Sequence, residues 1–188
     1  MTRLGYCFTG SFCTFERSFE ALRGLVNAGY DVQPIMSENA YYTDTRFAVA
    51  EEFSHRVEEL TGRKIIHTVK DAEPLGPKNP LDLLVIAPCT GNTLAKLARG
   101  ITDTSATMAA KAHLRRDRPL LIALSSNDAM SQNLSGISML LTRKSVYFLP
   151  MSQDDPTGKP YSLVADFTLM REGVLAALSG DQLRPLFI

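Results

Sequence analysis

The sequence has few cysteines, no long apolar run and no surplus of charge of either sign. Its three cysteines, Cys7, Cys13 and Cys89, form no Cys-x-x-Cys pair, which argues against disulfides and metal sites and favours a reducing cytoplasm. No segment approaches the roughly 18 apolar residues of a membrane span, and "MTRLGYCFTGSF" lacks a signal-peptide pattern. Lys+Arg and Asp+Glu both number 20, which disfavours a broad nucleic-acid surface and favours association between copies.

Short apolar runs alternate with helical patterns along the whole chain. The runs predict six strands, at 3–8, 30–36, 64–69, 83–87, 120–124 and 145–149. "LLVIA" and "LLIAL" are apolar without alternation, as expected for parallel strands covered by helices on both faces. With 188 residues, 45% of them hydrophobic, the chain predicts one α/β domain over 1–188. The expected architecture is a doubly wound, three-layer fold with a mainly parallel six-stranded sheet, Rossmann or flavodoxin-like.

Apolar residues at helical spacing predict the intervening helices. These begin near Phe15 and Asp44 and recur over 93–99, 104–116, 130–141 and 163–178. Pro34 cannot donate to a ladder, which either weakens the prediction of the second strand or places that strand near a sheet edge. The proline-containing stretches "AEPLGPKNPLD" and "PMSQDDPTGKPYS" predict irregular loops.

The turns that leave the strands form the candidate site, because ligands of such sheets bind beyond the carboxyl ends of the strands. Thr9, Gly10 and Ser11 follow the first strand, where a glycine turn, two hydroxyls and a helix N-terminus would hold a phosphate; an ordinary capped turn is the alternative. The turn has neither the G-x-G-x-x-G fingerprint nor a Walker sequence, which argues against a nicotinamide-binding dehydrogenase. Ser37, after the second strand, suits a phosphate or a flavin hydroxyl, or only caps the strand end.

Two later turns are unusually rich in small polar residues. The turn after "LLVIA" contains Pro88, Cys89, Thr90, Gly91, Asn92 and Thr93. A helix cap needs only one such residue, and Gly91 would let a flat ligand approach the backbone. Ser125, Ser126 and Asn127 leave "LLIAL" in the same way, although Asp128 beside them could simply cap the next helix.

The three histidines give a weak signal for catalysis. His55 and His113 lie within helical patterns and are expected at the surface. His67 ends the third predicted strand near the ligand edge, so it is either a catalytic or a structural residue. No His-x-x-x-His or His-x-His spacing indicates a metal site.

Three stretches together, "TGS", "PCTGNT" and "ALSSNDAM", resemble the homo-oligomeric flavin-containing Cys decarboxylase family. This family includes phosphopantothenoylcysteine decarboxylase, the lantibiotic peptidyl-cysteine decarboxylases and the flavin prenyltransferases. Its signature P-A-S-A-N-T matches Pro88, Asn92 and Thr93, and its A-P-A-M-N-x-x-M matches Ala123, Asn127 and Met130. The sequence departs from the second motif at two positions, with Leu124 for proline and Ser126 for methionine.

The resemblance implies FMN bound at subunit interfaces of a homo-oligomer, a trimer or a dodecamer. By position, Gly10, Ser11 and Ser37 would hold the phosphate and ribityl chain. The other implied FMN contacts are Thr9, Pro88, Cys89, Thr90, Gly91, Asn92, Thr93, Ser125 and Ser126. Asn127 matches the asparagine that holds the substrate carboxylate, and His67 falls near the family's catalytic histidine.

The stretch "GYCFTGSFCTFE" and the tail "PMSQDDPTGKPYSLV" extend the resemblance over the whole chain and imply a particular reaction. With a different partner subunit, expected to carry a nicotinamide-type Rossmann domain, the chain would form pyridine-2,6-dicarboxylate from a dihydro or hydroxy-tetrahydro precursor. One alternative is an FMN-dependent Cys decarboxylase or flavin prenyltransferase. The other is a non-catalytic scaffold subunit that has lost the flavin.

Overall fold

The structure, a computed structural model, describes residues 1–78 and 80–188. Within them, seven strands form the sheet: β1 (Arg3–Phe8), β2 (Asp31–Met36), β3 (Leu83–Cys89), β4 (Leu120–Ser126), β5 (Val146–Phe148), β6 (Met151–Ser152) and β7 (Leu163–Ala165). Their order is β2-β1-β3-β4-β7-β6, and β5 pairs with β4. Strands β1 to β5 run parallel, whereas β6 and β7 form a short antiparallel extension at the end of β4.

The same residues form eight α-helices. They are α1 (Phe15–Asn27), α2 (Glu38–Tyr42), α3 (Ala50–Thr61), α4 (Val69–Ala72), α5 (Gly91–Arg99), α6 (Ser105–Leu114), α7 (Leu134–Leu141) and α8 (Met170–Leu178). Short 3-10 turns occupy Phe12–Thr14, Glu73–Leu75 and Phe167–Leu169. None of the helices seen in the described ranges has the length and apolar character needed to cross a membrane.

The helices cover both faces of the sheet. One face packs on α1, α3 and α8 around Tyr6 and Phe8, which are fully buried. The other face packs on α5, α6 and α7 around Ile86 and Ile122. Burial on both sides explains why the central strands read as continuous apolar runs. The predicted three-layer, doubly wound α/β fold is thereby confirmed, with seven strands instead of six.

The prediction of a third strand at 64–69 is wrong, and Pro34 supplies the reason. Within the described residues, this segment and β2 form a single bridge, from Ile35 to Ile66. The next ladder bond toward Lys64 would need an N–H at Pro34, which proline does not have. The side chain of Gln33 donates to the Lys64 carbonyl instead, at 2.9 Å. Pro34 therefore lies near the sheet edge, as predicted, and stops a further strand from pairing.

The expected helix over 163–178 is also only partly right. Leu163–Ala165 forms β7, which pairs with Ser125 and Ser126 of β4. The α-helix begins only at Met170, after a turn in which the Asp166 side chain accepts from the Thr168 N–H at 2.9 Å. Apolar spacing alone cannot separate a three-residue strand from the first turn of a helix.

The remaining differences are local. The helix expected from Asp44 begins at Ala50, whose N–H donates to the Asp44 carboxylate at 2.8 Å, and α2 precedes it unpredicted. The first expected loop contains the 3-10 turn Glu73–Leu75, and Asn79 within it lies outside the described residues. The second contains β6.

Candidate functional site

The turns that leave β1, β2, β3 and β4 converge at the carboxyl edge of the sheet, where they border one cleft with two lobes. The lobes share Gly10, Phe12 and Thr90. We call one the serine lobe, of about 510 Å³, which is lined among others by Ser11, Arg46, Ser125, Ser126, Asn127 and Lys159. We call the other the threonine lobe, of about 660 Å³, which is lined among others by Ser37, Glu38, Asn92, Thr93, Lys96 and Thr104.

Buried Thr9 joins the turn after β1 to the turn after β3. Its hydroxyl donates to the Pro88 carbonyl at 2.7 Å and accepts from the Thr90 N–H at 3.0 Å. The Thr9 N–H reaches the same Pro88 carbonyl at 3.2 Å. Three hydrogen bonds therefore fix the relative position of two turns that lie far apart in the sequence.

Replacing Thr9 with valine is expected to lower the free energy of unfolding by about 1–3 kcal/mol, because the partly buried Thr90 N–H would lose its acceptor. Urea unfolding at neutral pH measures the change. Thr9→Ser keeps the hydroxyl and is the matched control, with an expected loss of about 1 kcal/mol or less for one methyl group. Equal losses in the two variants would contradict the role assigned to the hydroxyl.

A second set of hydroxyls links the turn after β1 to the end of β4. The hydroxyls of Ser11 and Ser125 lie 2.9 Å apart, and the Thr14 hydroxyl lies 3.3 Å from that of Ser125 and 2.9 Å from the Ser11 carbonyl. Because the Ser11 hydroxyl does not cap the 3-10 turn Phe12–Thr14, the first N–H groups of that turn stay available for a ligand. Such N–H groups favour anions.

The turn after β3 is held by its own residues and by the turn after β4. Thr90 caps α5 by accepting from the Thr93 N–H at 3.0 Å. A Cβ added at Gly91 would lie 2.5 Å from Asn133 Nδ2, 2.6 Å from Ser126 Oγ and 2.7 Å from Asp128 Oδ1. A side chain at position 91 would therefore displace the side-chain groups that pack between the two turns.

The turn after β2 forms the far wall of the threonine lobe. Ser37 caps α2 by accepting from the Ala40 N–H at 3.3 Å. The Glu38 carboxylate accepts from the Ser105 N–H at 3.1 Å, at the start of α6. This contact ties the lobe to the first turn of a further helix.

The two lobes differ in charge. In the threonine lobe, Lys96 bonds to both oxygens of Asp103, at 2.9 and 3.0 Å, beside the carboxylate of Glu38. In the serine lobe, Lys159 pairs with Asp154 at 3.0 Å, while Arg46 makes no ion pair with any described residue. Counting lining side chains, the serine lobe carries one net positive charge and the threonine lobe one net negative charge.

Four predicted FMN contacts do not line either lobe. Thr9, Pro88 and Gly91 are buried and act as supports for the turns. Cys89 is buried in the core layer with α5, α6 and α7, and that burial raises the pKa of its thiol well above the usual value. The interpretation of Cys89 as a cofactor contact is therefore wrong for its side chain.

His67 also lies away from the lining of the two lobes. Its ring stacks on Tyr41 at a centroid distance of 3.8 Å and meets Tyr42 edge-on at 5.7 Å. Its Nδ1 lies 3.4 Å from the Ile65 carbonyl. Asn127, the other predicted catalytic residue, is exposed in the serine lobe.

Several lining residues lie outside the three motifs "TGS", "PCTGNT" and "ALSSNDAM". Phe12 and Phe47 supply aromatic walls, and Arg46 and Lys159 supply charge. Arg46 and Phe47 follow a short unpredicted helix. Lys159 belongs to the tail that extends the resemblance, where the sequence predicts an irregular loop but no site residue. "TRF" and "TGKP" contain nothing that distinguishes them from ordinary loops, so only the fold reveals their role.

A larger groove, of about 720 Å³, lies between α1 and the segment that leads into α8. Its floor is made of apolar side chains such as Ala21, Leu25 and Phe167. None of the turn residues at the carboxyl edge of β1 to β4 borders it. The polar cleft, although smaller in each lobe, is therefore the candidate site.

Comparison with known proteins extends these observations. Residues 1–165 match the model of a family described as Flavoprotein. The B-designated subunit of dipicolinate synthase from Bacillus subtilis is 43% identical over 186 residues, which cover 99% of this chain and 93% of that relative. The crystal structure of the corresponding subunit from Bacillus halodurans matches with a TM-score of 0.91 and 39% identity, covering 100% of this chain and 96% of that one. SpaF, described as an FMN-dependent cysteine decarboxylase, shares the fold, with a TM-score of 0.67 and 24% identity over 95% of this chain and 96% of that one.

Proposed function

The chain belongs to the Flavoprotein family, and from this premise we propose that it acts as the flavin-binding, B-designated subunit of a dipicolinate synthase. Together with a different, A-designated subunit, here called the companion subunit, it would form dipicolinate during sporulation. Dipicolinate is pyridine-2,6-dicarboxylate. The observation that carries the proposal is the 43% identity to the Bacillus subtilis dipicolinate synthase chain, which extends over nearly the full length of both proteins.

The cleft fits FMN. Each lobe is large enough for part of a cofactor, and the strip that they share combines Gly10 with the hydroxyl of Thr90. The start of the 3-10 turn at Phe12 offers free N–H groups to a phosphate, while the rings of Phe12 and Phe47 offer aromatic faces to a flat ring. Polar groups along the threonine lobe come from Ser37, Asn92 and Thr93.

We assign the threonine lobe and the shared strip to the cofactor, and the serine lobe to the substrate. When bound, FMN would supply a hydride acceptor for an aromatisation that removes two hydrogens from a dihydro precursor. The chain's own residues would bind and orient that precursor. Asn127 offers an amide donor to a substrate carboxylate, whereas the Ser126 hydroxyl already donates to the Asp128 carboxylate.

The proposal includes two kinds of partner. The companion subunit would carry a nicotinamide-type Rossmann domain, which this chain does not supply because it lacks the glycine fingerprint. Copies of this chain would also associate, as a trimer or a dodecamer. The exposed apolar side chains of Leu134, Met139 and Leu141 on α7 support such association.

The decisive experiment is an assay of this chain and the companion subunit, together and apart, for the formation of dipicolinate. We expect the two chains to co-purify and only the mixture to form product at full rate. If this chain were as active alone as in the mixture, the heteromeric proposal would be wrong. Absorbance of the purified chain near ~450 nm would report bound flavin, and a colourless chain that cannot be reconstituted with FMN would favour the scaffold alternative.

A second candidate, an FMN-dependent Cys decarboxylase, is favoured by one observation. Asn127, which matches the family's carboxylate-binding asparagine, lies exposed in the serine lobe. Ser126, where the family has methionine, donates to Asp128 and changes the surroundings of Asn127. Release of CO2 from a peptidyl or pantothenoyl cysteine would support this candidate over the first.

A further inference from the structure

Two basic side chains that belong to none of the family motifs line the serine lobe. Arg46 lies in the segment between α2 and α3, and Lys159 lies in the segment between β6 and β7. Neither lines the threonine lobe. Their place at the substrate end of the cleft raises the question of which anion they bind.

Arg46 has its full hydrogen-bonding capacity available. It makes no hydrogen bond or ion pair with the described residues, and its guanidinium lies over the Phe47 ring at 4.7 Å from the centroid. The backbone around it is held in place, because the Thr45 hydroxyl accepts from the N–H groups of Phe47 and Ala48 at 3.2 and 3.3 Å. A guanidinium presented in this way can bind a carboxylate through two parallel hydrogen bonds.

Lys159 is positioned by its ion pair with Asp154, which uses only part of its hydrogen-bonding capacity. Its ammonium group donates to Asp154 at 3.0 Å, and an ammonium has three donors. Asp154 also accepts from the Ser162 hydroxyl, and both contacts lower the pKa of Asp154, that of Ser162 more strongly. Asp154 therefore stays ionised and holds Lys159 in place, while two of the Lys159 donors remain for a ligand.

Few neutral side-chain donors of the lobe are free to bind two carboxylates. The Ser126 hydroxyl donates to Asp128, and the hydroxyls of Ser11 and Ser125 lie within hydrogen-bonding distance of each other at 2.9 Å. The amide of Asn127 and one hydroxyl hydrogen of the Ser11–Ser125 pair remain as neutral donors, and one amide can serve only one carboxylate well. A second carboxylate would bind more strongly to the charged donors of Arg46 and Lys159 than to the remaining hydroxyl.

We infer that the serine lobe is the dicarboxylate-binding part of the cleft, with Arg46 and Lys159 binding one carboxylate of the substrate and Asn127 the other. This inference rests on the proposed function, since it places the substrate of that reaction. It adds two specificity-determining residues that bear directly on the choice between a dicarboxylate and a monocarboxylate.

The test is calorimetric titration of the FMN-loaded full chain with pyridine-2,6-dicarboxylate and with pyridine-2-carboxylate, which lacks one carboxylate. We expect the dicarboxylate to bind at least about tenfold more tightly. Arg46→Gln and Lys159→Gln should each weaken dicarboxylate binding about tenfold and reduce that preference. FMN affinity, measured by flavin fluorescence, should change by no more than about twofold.

Lys144→Gln is the matched control, because Lys144 is an exposed lysine that pairs with Asp117 at 3.5 Å and lines neither lobe. It should leave both affinities unchanged. The inference is overturned if the two cleft variants bind dicarboxylate as tightly as the wild type does, or if they lose FMN instead, which would assign the cations to the phosphate. Either result can occur while the two-subunit assay still forms dipicolinate, so it leaves the proposed function standing. No product from that assay would instead overturn the proposed function.

Discussion

Replacing Gly91 with valine is expected to lower both the stability of the fold and its affinity for FMN. A Cβ at this position would lie within 2.7 Å of Asn133, Ser126 and Asp128. Asn133 is buried, so it cannot turn away freely, and the Ser126–Asp128 hydrogen bond would have to break or shift. We expect a loss of about 1–3 kcal/mol in the free energy of unfolding and a loss of about tenfold or more in FMN affinity, which corresponds to one displaced hydrogen bond.

Urea unfolding and flavin titration of the purified chain measure these two effects. Gly24 in α1 provides the control, because a Cβ there meets no atom within 4 Å. Gly24→Ala should raise the free energy of unfolding by about 0.5–1 kcal/mol, since glycine is a poor helix residue. Gly91→Ala should lie between the wild type and Gly91→Val. Normal stability and normal FMN affinity in Gly91→Val would show that the turns after β3 and β4 are not packed as described.

The Gly91 contacts show which part of the site can be predicted from the sequence. Small polar residues after two buried apolar runs are enough to place Thr90, Asn92, Ser125, Ser126 and Asn127 at one edge, because parallel strands present their carboxyl ends together. The sequence does not tell which of these residues face the cleft. The sequence suggests that Gly91 lets a ligand approach the backbone. In the structure, the space that a side chain would fill at this position is taken by Ser126, Asp128 and Asn133.

The central strands β3 and β4 are predicted correctly because their own composition indicates burial on both faces. "LLVIA" and "LLIAL" are apolar throughout because both faces of β3 and β4 are covered. "KIIHTV" also begins as an apolar run, but its pairing depends on whether the neighbouring strand can donate, and Pro34 on β2 cannot. A residue on the neighbouring strand therefore decides whether 64–69 forms a strand.

The positions of the charged residues in the cleft also depend on pairing between distant segments, so the sequence does not predict them. Lys159 reaches the serine lobe because β7 pairs with the end of β4 and brings the preceding segment to the carboxyl edge. The apolar spacing of Leu163 and Phe167 suggests a helix there, which would hide that pairing. One wrong element thus conceals a basic residue that the proposed substrate requires.

The burial of His113 is also not predictable from the sequence, and it leads to a second large expected effect. Its helical pattern predicts a surface position, but only 1% of it is exposed. Its Nε2 lies 2.8 Å from the Pro119 carbonyl, and its buried Nδ1 has no partner in the described chain. Burial, with a smaller contribution from the nearby charge of Arg118, lowers the pKa of His113 to about 4, although the Pro119 bond opposes the shift.

A histidine whose pKa is lower in the folded state than in the unfolded state favours unfolding when it is protonated. Its contribution to stability is therefore complete above about pH 6.5 and is lost as the pH falls to about 4. The shift corresponds to about 3 kcal/mol. Other groups also titrate in this range, so the effect of His113 must be separated by a variant.

His113→Gln removes the titration and keeps a donor for the Pro119 carbonyl. We expect the free energy of unfolding of the wild type to fall more steeply between pH 6.5 and 4 than that of the variant, by up to the slope of one proton, about 1.4 kcal/mol per pH unit. Urea unfolding at half-unit pH steps gives both slopes. His55→Gln, at an exposed position on α3, should follow the wild type. Parallel curves for the wild type and His113→Gln would mean that His113 is protonated or hydrated in the folded state. The description of His113 Nδ1 as buried and without a partner would then be wrong.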